Sequence, residues 1–214
     1  MATALGVSLA LVLAAAIVAD PAKADEAGAT IATQGTPAGV PACISCHGAQ
    51  GQGNAAAGFP RLAGLPAPYL QAQLAAFASG QRSNPVMMPF AKRLTPSDIQ
   101  AVTAYFAQLP APPLKAAPAQ TGPGAALALD GRWSDSVPAC VTCHGPEGRG
   151  VGTTFPPRAG QPAAYLQAQL QAFQQGTRPP GPLGLMKAVA SRLSAADIAA
   201  VTQWFGARAE GAAQ

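Results

Sequence analysis

The sequence predicts an all-α protein built from two similar domains, each a few short helices around a large apolar group. Three observations support this prediction: apolar residues recur at helical spacing, no stretch alternates with a period of two, and the second half repeats the first. Of the 214 residues, 49% are hydrophobic and only 10% are charged, with 23 Gly and 22 Pro. This composition excludes an ordinary disordered chain and favours short elements joined by long loops.

The charged residues argue against a nucleic-acid partner. The chain has 13 basic and 9 acidic residues, a formal net charge of +4, and no run of Lys or Arg. Nucleic-acid binding normally shows a clustered basic patch or stripe. We therefore expect protein partners and no nucleic acid.

The first 24 residues resemble a secretory leader. Leu5 to Val18 is an almost wholly apolar run of 14 residues, shorter than the roughly 20 that a membrane-spanning helix needs. The small-x-small sequence Ala22-Lys23-Ala24 follows, which suits signal peptidase. No basic residue precedes the run, so an uncleaved anchor is the alternative. The prediction is cleavage after Ala24, a periplasmic mature protein, and membrane contact only through partners.

Three segments occur twice in the same order, offset by 96 to 99 residues. Residues 40–48 recur at 137–145, residues 69–77 at 165–173, and residues 94–99 at 193–198. A proline-rich stretch separates the two copies and should be extended and semi-rigid. We expect a signal peptide at 1–24, domains at 25–109 and 125–214, and a linker at 110–124.

The repeated segments carry helical patterns. Leu70, Leu74 and Phe77 fall at i, i+4 and i+7, as do their counterparts in the second copy. Thr95 and Ser194 are capping hydroxyls, each followed three residues later by an aspartate. Each copy therefore predicts a middle helix and a final helix.

All four cysteines and both histidines belong to two copies of one pattern, Cys-x-x-Cys-His. This pattern is typical of c-type haem attachment. The two thiols add to the haem vinyl groups as thioethers, and the adjacent imidazole binds the iron. The sequence therefore predicts two covalently attached haem c groups, held through Cys43, Cys46 and His47 in the first copy and through Cys140, Cys143 and His144 in the second.

Three other uses of paired cysteines fit less well. Zinc ribbons separate their pairs by roughly 15–20 residues, whereas 93 residues lie between Cys46 and Cys140. A thioredoxin-type pair needs a βαβ pattern, which is absent. A disulfide across two residues would be strained and would close only a short loop.

Methionine is the expected second iron ligand, because both histidines and all four cysteines are already used. Met87 lies 40 residues after His47, and Met186 lies 42 residues after His144. Aligning the repeats backward from the final helix places Met87 on Met186 and Met88 on a lysine. We therefore expect Met87 and Met186 to bind iron, the alternatives being a slip that brings Met88 in and a role as core filler.

Both halves resemble class I cytochromes c, and the tandem resembles the dihaem cytochrome c4 family. The resemblance rests on Cys-x-x-Cys-His-Gly, on the Phe-Pro segments at 59–64 and 155–156, on the Tyr-Leu-x-x-Gln-Leu helix, and on a methionine seven residues before a leucine. It implies that the carbonyls of Pro60 and Pro156 accept a hydrogen bond from the iron-bound imidazoles. It also implies haem propionates that face the domain interface.

Two features depart from the family pattern. The leucine after Phe-Pro-x is present as Leu62 but becomes Arg158 in the second half, where we expect it to be available to a propionate. The segment from Asp25 to Ala42 is rich in Gly, Thr and Pro, so we expect a short or frayed first helix.

The expected function is electron transfer of one electron per haem. The resemblance implies a donor such as a membrane quinol-oxidising complex or a dehydrogenase, and a terminal oxidase or another acceptor. The alternative is the electron-accepting cytochrome subunit of a periplasmic dehydrogenase. A dihaem peroxidase is disfavoured because no histidine is spare and Glu147 is the only acid that closely follows a Cys-x-x-Cys-His motif.

Overall fold

The chain folds as two consecutive bundles of short helices. The structure is a computed structural model that describes residues 21–115 and 121–208. The first bundle contains α1 (Pro21–Gln34), α2 (Ile44–His47), α3 (Ala67–Ala78), α4 (Met87–Ala91) and α5 (Pro96–Gln108). The second contains α6 (Pro123–Leu129), α7 (Cys140–His144), α8 (Ala163–Gln175), α9 (Leu185–Ala190) and α10 (Ala195–Gly206), with short 3₁₀ turns between them.

The two bundles share one arrangement, which confirms the predicted all-α class. The first helix packs on the last, the middle helix packs on the last, and the short methionine helix packs on the middle one. The described ranges contain isolated β-bridges but no strand, and none of their helices is long and apolar enough to cross a membrane.

A glycine allows the first and last helices of each bundle to cross closely. A Cβ on Gly28 would lie 2.4 Å from the carbonyl oxygen of Ala101, and one on Gly124 would lie 2.3 Å from that of Ala200. Real Cβ atoms do not approach a backbone oxygen so closely, so only glycine permits either crossing. The crossing therefore positions the first helix of each bundle, which contacts the helix formed by the Cys-x-x-Cys-His segment.

The first helix is well formed, which corrects the expectation that it is short or frayed. Helix α1 has 14 residues, and Ile31 and Ala32 are buried in the first core. Weak local propensity suggested the frayed helix, but packing of an apolar face on α5 outweighs propensity. Of the predicted leader, residues 1–20 lie outside the described residues, and the other four begin α1.

The final helices begin with the predicted caps. The Thr95 hydroxyl accepts a hydrogen bond from the Asp98 amide, and the Asp98 carboxylate accepts one from the Thr95 amide. Ser194 and Asp197 form the same reciprocal box at the start of α10. Each cap satisfies two backbone donors that a helix start leaves without partners.

The two bundles have separate apolar cores linked along the chain by the proline-rich segment. Residues 116–120 of the predicted linker lie outside the described ranges, and α6 begins within it at Pro123. Before that gap, the amide of Lys115 donates to the carbonyl of Arg208 over 2.9 Å. The linker therefore also contacts the end of the second bundle.

Candidate haem sites

Each Cys-x-x-Cys-His segment forms about one turn of helix and ends at a glycine. The His47 amide donates to the Cys43 carbonyl over 3.0 Å, which closes the turn in α2. Gly48 and Gly145 follow the two histidines with φ angles of 84° and 77°. Glycine adopts this left-handed region without steric cost, so the chain reverses directly after each histidine.

The first thiol of each pair faces the first helix of its own bundle. The Sγ atom of Cys43 lies 3.9 Å from the carbonyl oxygen of Ile31, and that of Cys140 lies 3.5 Å from that of Leu127. Burial raises the pKa of both thiols to about 11. No disulfide joins the cysteines of either pair, so all four sulfur atoms are available for thioether bonds to haem.

A proline carbonyl orients each histidine. The Nδ1 atom of His47 lies 2.9 Å from the carbonyl oxygen of Pro60, and that of His144 lies 2.9 Å from that of Pro156. The carbonyl can only accept, so Nδ1 carries the proton and Nε2 is left available to a metal. These are the pairings that the family resemblance implied.

Burial keeps both imidazoles neutral. It is the largest cause of the lowered pKa of His47, and it lowers the pKa of His144 to about 3, with a further contribution from the positive charge of Arg158. Metals bind the neutral imidazole. Both histidines are therefore in the state that iron binding requires.

The first bundle encloses a cavity of about 300 Å³ that brings together the predicted residues of that domain. Its walls are mainly apolar side chains from α3, α4 and α5, and its edge reaches α8 of the second bundle. The thiols, the imidazole and a thioether converge in it, which is the donor set that a haem c requires. The predicted residues that line it are Cys43, Cys46, His47, Pro60 and Met87.

The two adjacent methionines of α4 have different surroundings. Met87 lines the cavity. The methyl group of Met88 lies beside Gly80, since a Cβ placed on that glycine would be 3.9 Å from it. This difference supports the alignment of the two repeats that predicts Met87, rather than Met88, as the iron ligand.

Met186 occupies the equivalent place in the second bundle. It lies in α9, which packs on α8 as α4 packs on α3. The side chain is partly buried, and a Cβ on Gly181 would lie 3.6 Å from its Cβ. The pairing of Met186 with His144 on one iron stays a prediction.

The two domains meet through a reciprocal set of polar side chains, which we call the interdomain polar cluster. Arg178 donates to the Tyr69 hydroxyl over 3.1 Å, and Arg82 donates to the Tyr165 hydroxyl over 3.1 Å. Both arginines also donate to the same two glutamines, one from each domain. The cluster consists of Tyr69, Gln73, Arg82, Tyr165, Gln169 and Arg178.

The cluster is buried and strongly positive. Arg82 and Arg178 are 5% and 7% exposed, and each guanidinium stacks on a phenylalanine of its own domain. No ion pair in the described part of the chain involves either arginine. Burial alone would raise the pKa of Tyr69, but the neighbouring arginine charges lower it to about 7. Within residues 21–115 and 121–208, Arg82 and Arg178 are thus buried cations without a carboxylate partner.

A second contact between the domains joins Arg61 to Gln161. The Gln161 side chain accepts from the Arg61 amide over 3.0 Å and donates to the Arg61 carbonyl over 2.9 Å. The Arg61 guanidinium donates to the Ala63 and Ala159 carbonyls, while its buried Nε has no hydrogen-bond partner. Burial lowers the pKa of Arg61 to about 10, which leaves it charged at neutral pH.

Sequence reasoning missed these interface residues, although one signal was available. Gly80-Gln81-Arg82 recurs as Gly176-Thr177-Arg178 after the middle helix of each repeat. A repeated arginine among so few charges could have been singled out. Gln161 had no such signal, because its equivalent in the first repeat is a leucine.

Arg158, which stands where the first repeat has Leu62, makes contacts that a leucine cannot make. Its Nε donates to the Pro156 carbonyl over 3.1 Å, and its guanidinium lies 5.9 Å from the ring centre of Tyr69 in the other domain. Arg158 therefore faces both His144 and the interdomain polar cluster.

Comparisons with known proteins match both halves of the chain. The family model for Cytochrome c matches residues 26–110 and 124–206. A thiosulfate dehydrogenase electron acceptor of Thiomonas intermedia (strain K12) is 50% identical over 170 residues, 78% of this chain and 78% of that protein. One from Stutzerimonas stutzeri (strain A1501) is 50% identical over 183 residues, 83% of this chain and 84% of that protein. Cytochrome c4 of Pseudomonas aeruginosa is 37% identical over 164 residues, 76% of this chain and 81% of that protein.

Two solved structures share the fold. Reduced cytochrome c4 from Pseudomonas stutzeri superimposes with a TM-score of 0.74 at 31% identity, over 86% of this chain and 98% of that chain. A thiosulfate dehydrogenase from Marichromatium purpuratum gives a TM-score of 0.79 at 49% identity, over 86% of this chain but only 40% of that chain. This chain therefore corresponds to less than half of that dehydrogenase.

The matched ranges, the relatives and the shared fold agree with the two Cys-x-x-Cys-His segments and with the helical pattern. They confirm the predicted resemblance, fold class and cofactor. They also confirm electron transfer as the function of this chain, since two of its relatives are named as electron acceptors and others as cytochrome c4. The chain belongs to the cytochrome c family, as a dihaem, cytochrome c4-like electron carrier with two covalently bound haem c groups.

Proposed function

We propose that this protein is the periplasmic electron acceptor of a thiosulfate-oxidising dehydrogenase. The observation that carries the proposal is similarity: two electron acceptors of such enzymes are 50% identical to this chain, against 37% for cytochrome c4 of Pseudomonas aeruginosa over a comparable length. The protein would take one electron per haem from the dehydrogenase. It would then deliver them to a terminal oxidase or another redox protein.

The predicted site residues take the following roles in this proposal. A bound haem c supplies an iron that takes up and releases one electron. The proline carbonyls fix the ring orientation of the two histidines and raise their basicity. The thioether positions are Cys43, Cys46, Cys140 and Cys143, the iron ligands are His47 with Met87 and His144 with Met186, and the supporting carbonyls are those of Pro60 and Pro156.

We propose further that the protein does not catalyse a reaction on its own. A histidine and a methionine on each iron would leave no position for a substrate. The chain has only two histidines, and each already donates from Nδ1 to a proline carbonyl. An acid–base catalyst would need a spare titratable side chain beside the metal. Glu147, the acid that closely follows the second Cys-x-x-Cys-His motif, is instead paired with Arg149 and Arg208.

The buried arginines fit the carboxylates that a haem carries. Arg82 lines the cavity of the first domain together with Tyr165 and Gln169 of the second. Buried cations require paired anions, and the described residues provide none to this arginine. We assign the haem propionates this role. A cation near the iron favours the reduced state, so Arg82→Gln should lower the reduction potential of at least one haem.

A free carrier is the second candidate function. Its donor would be a membrane quinol-oxidising complex and its acceptor a terminal oxidase. Similarity to cytochrome c4 favours it, because 98% of that solved chain is covered by this one. The two candidates differ in the electron donor and share the same haem sites.

Stopped-flow reduction of the holoprotein distinguishes them. The oxidised protein is mixed with thiosulfate alone, with thiosulfate and a catalytic amount of thiosulfate dehydrogenase, or with a quinol-oxidising complex and quinol. We expect rapid reduction of both haems only when the dehydrogenase is present with thiosulfate. Reduction by thiosulfate alone would contradict the non-catalytic role, and rapid reduction only by the quinol-oxidising complex would favour the free carrier.

A further inference from the structure

The Pro156 carbonyl, which orients the histidine of the second domain, accepts hydrogen bonds from two side chains. The Pro60 carbonyl, its counterpart in the first domain, accepts a hydrogen bond from one side chain. The Pro156 oxygen accepts from His144 Nδ1 over 2.9 Å and from Arg158 Nε over 3.1 Å. The Pro60 oxygen accepts from His47 Nδ1 over 2.9 Å. This is a chemical difference between two otherwise repeated sites.

The difference comes from one position of the repeat. The amide of Leu62 donates to the Gly51 carbonyl over 2.8 Å, and the amide of Arg158 donates to the Gly148 carbonyl over 2.8 Å. The two residues therefore occupy the same place in their loops. Leu62 has no side-chain donor, so the first domain is a built-in reference for the effect of Arg158.

Arg158 remains a positive charge beside the second histidine. Its side chain is half-buried, and none of the ion pairs found in residues 21–115 and 121–208 includes it. Its neighbours across the interface are Tyr69 and Arg61, which provide no carboxylate. The Arg158 charge is thus not paired with a carboxylate of the described chain.

Both features act on the iron in the same direction. A carbonyl that also accepts from a guanidinium is a weaker acceptor for the imidazole, so His144 should be a less basic iron ligand than His47. A less basic ligand stabilises ferric iron less. A nearby positive charge also disfavours the more positive ferric state. Each effect raises the reduction potential of the second site relative to the first.

We propose that Arg158 is a potential-setting residue that makes the haem of the second domain the higher-potential haem. It acts through the Pro156 carbonyl and through its charge, and it does not bind the iron. An electron that enters the protein would then reside on the second domain at equilibrium. This inference rests on the haem ligation proposed above.

The test is a reductive titration of the holoprotein followed by proton NMR, in which the shifted haem methyl signals are assigned to each domain. We expect the second haem to be reduced first in the unchanged protein. Arg158→Leu, which copies the first repeat, should lower the potential of the second haem selectively. Arg158→Lys should restore part of it, because it returns the charge but not the Nε donor. Arg149→Leu removes an exposed charge from the same domain and serves as the control.

The signal of the His144 Nδ1 proton in the reduced protein gives a second measurement that a merely structural role would not move. It should shift in Arg158→Leu toward the value of His47. If the second haem keeps its potential in Arg158→Leu, or if the first haem is reduced first in the unchanged protein, the inference is wrong. If the unchanged protein shows no methionine-to-iron absorption band, the proposed ligation is wrong.

Discussion

Arg178 of the second domain donates a 3.1 Å hydrogen bond to the hydroxyl of Tyr69 in the first domain. Arg82 of the first domain donates a hydrogen bond of the same length to the hydroxyl of Tyr165 in the second domain. The contact is reciprocal, so each domain completes the polar surroundings of the other. The two repeats therefore behave as one interacting pair, which has consequences for stability.

Arg82→Gln and Arg178→Gln should each destabilise the protein. Each change removes hydrogen bonds from a charged donor, which are worth roughly 1.5–3 kcal/mol where they are lost. Because both arginines share two glutamine acceptors, the effects should be non-additive by roughly 0.5–3 kcal/mol. Guanidinium unfolding of the single and double variants measures this coupling. Exposed Arg192→Gln should cost less than about 0.5 kcal/mol, and strictly additive effects would argue against a shared cluster.

Met87→Leu should abolish the sulfur-to-iron charge-transfer band of one haem and lower its potential. Met87 lines the cavity of the first domain, and a leucine there supplies no ligand. Met88→Leu should spare both haems, since the Met88 methyl lies beside Gly80. Absorption spectra of the oxidised variants, with redox titration, report the outcome. The reverse pattern would show that the register between the repeats is wrong at this loop.

Gly28→Ala and Gly124→Ala should destabilise the first and second domains respectively. In an exposed helix this change normally stabilises by up to about 1 kcal/mol. Here each added Cβ meets a backbone oxygen at 2.4 or 2.3 Å, and such overpacking costs roughly 1–3 kcal/mol. Thermal unfolding followed by circular dichroism measures the loss. Ala126→Gly, at an exposed position of α6, should show only the propensity cost of about 1 kcal/mol.

Asp197→Asn should lower stability at neutral pH and lose this effect in acid. Hydrogen bonds from Arg132 and from the Ser194 amide hold the pKa of Asp197 well below its usual range. The carboxylate therefore stabilises the folded state above its unfolded pKa of about 3.9. That contribution is lost as the pH falls through the lower, folded pKa.

Denaturant unfolding at several pH values tests this difference between the original and variant proteins. Asp98→Asn removes the matching capping box of α5, to which no arginine is bonded within the described ranges. It should therefore cost less at neutral pH. An equal loss from both variants, or a loss from Asp197→Asn that persists in strong acid, would contradict the role of Arg132.

The sequence predicted the elements whose geometry is set by nearby residues. The Cys-x-x-Cys-His turns, the caps at Thr95 and Ser194 and the middle helices each depend on residues within a few positions of one another. The repeat then supplied a second copy with which to align them. This explains why the attachment motifs could be located without the structure.

The interface could not be predicted in the same way. Gln161 bonds to Arg61, 100 positions earlier in the chain, and that pairing depends on how the two domains are oriented. Helix α1 was underestimated for a related reason, because its stability comes from packing on α5 rather than from its own composition. No local pattern contains either contact.

Near-infrared magnetic circular dichroism of the oxidised holoprotein, together with haem quantification, tests the central claim most directly. The claim is that two haems are covalently bound and that each has one histidine and one methionine ligand. We predict two haems per chain, both low-spin and both with the histidine–methionine signature. A single haem per chain, a high-spin site or a bis-histidine signal would contradict it.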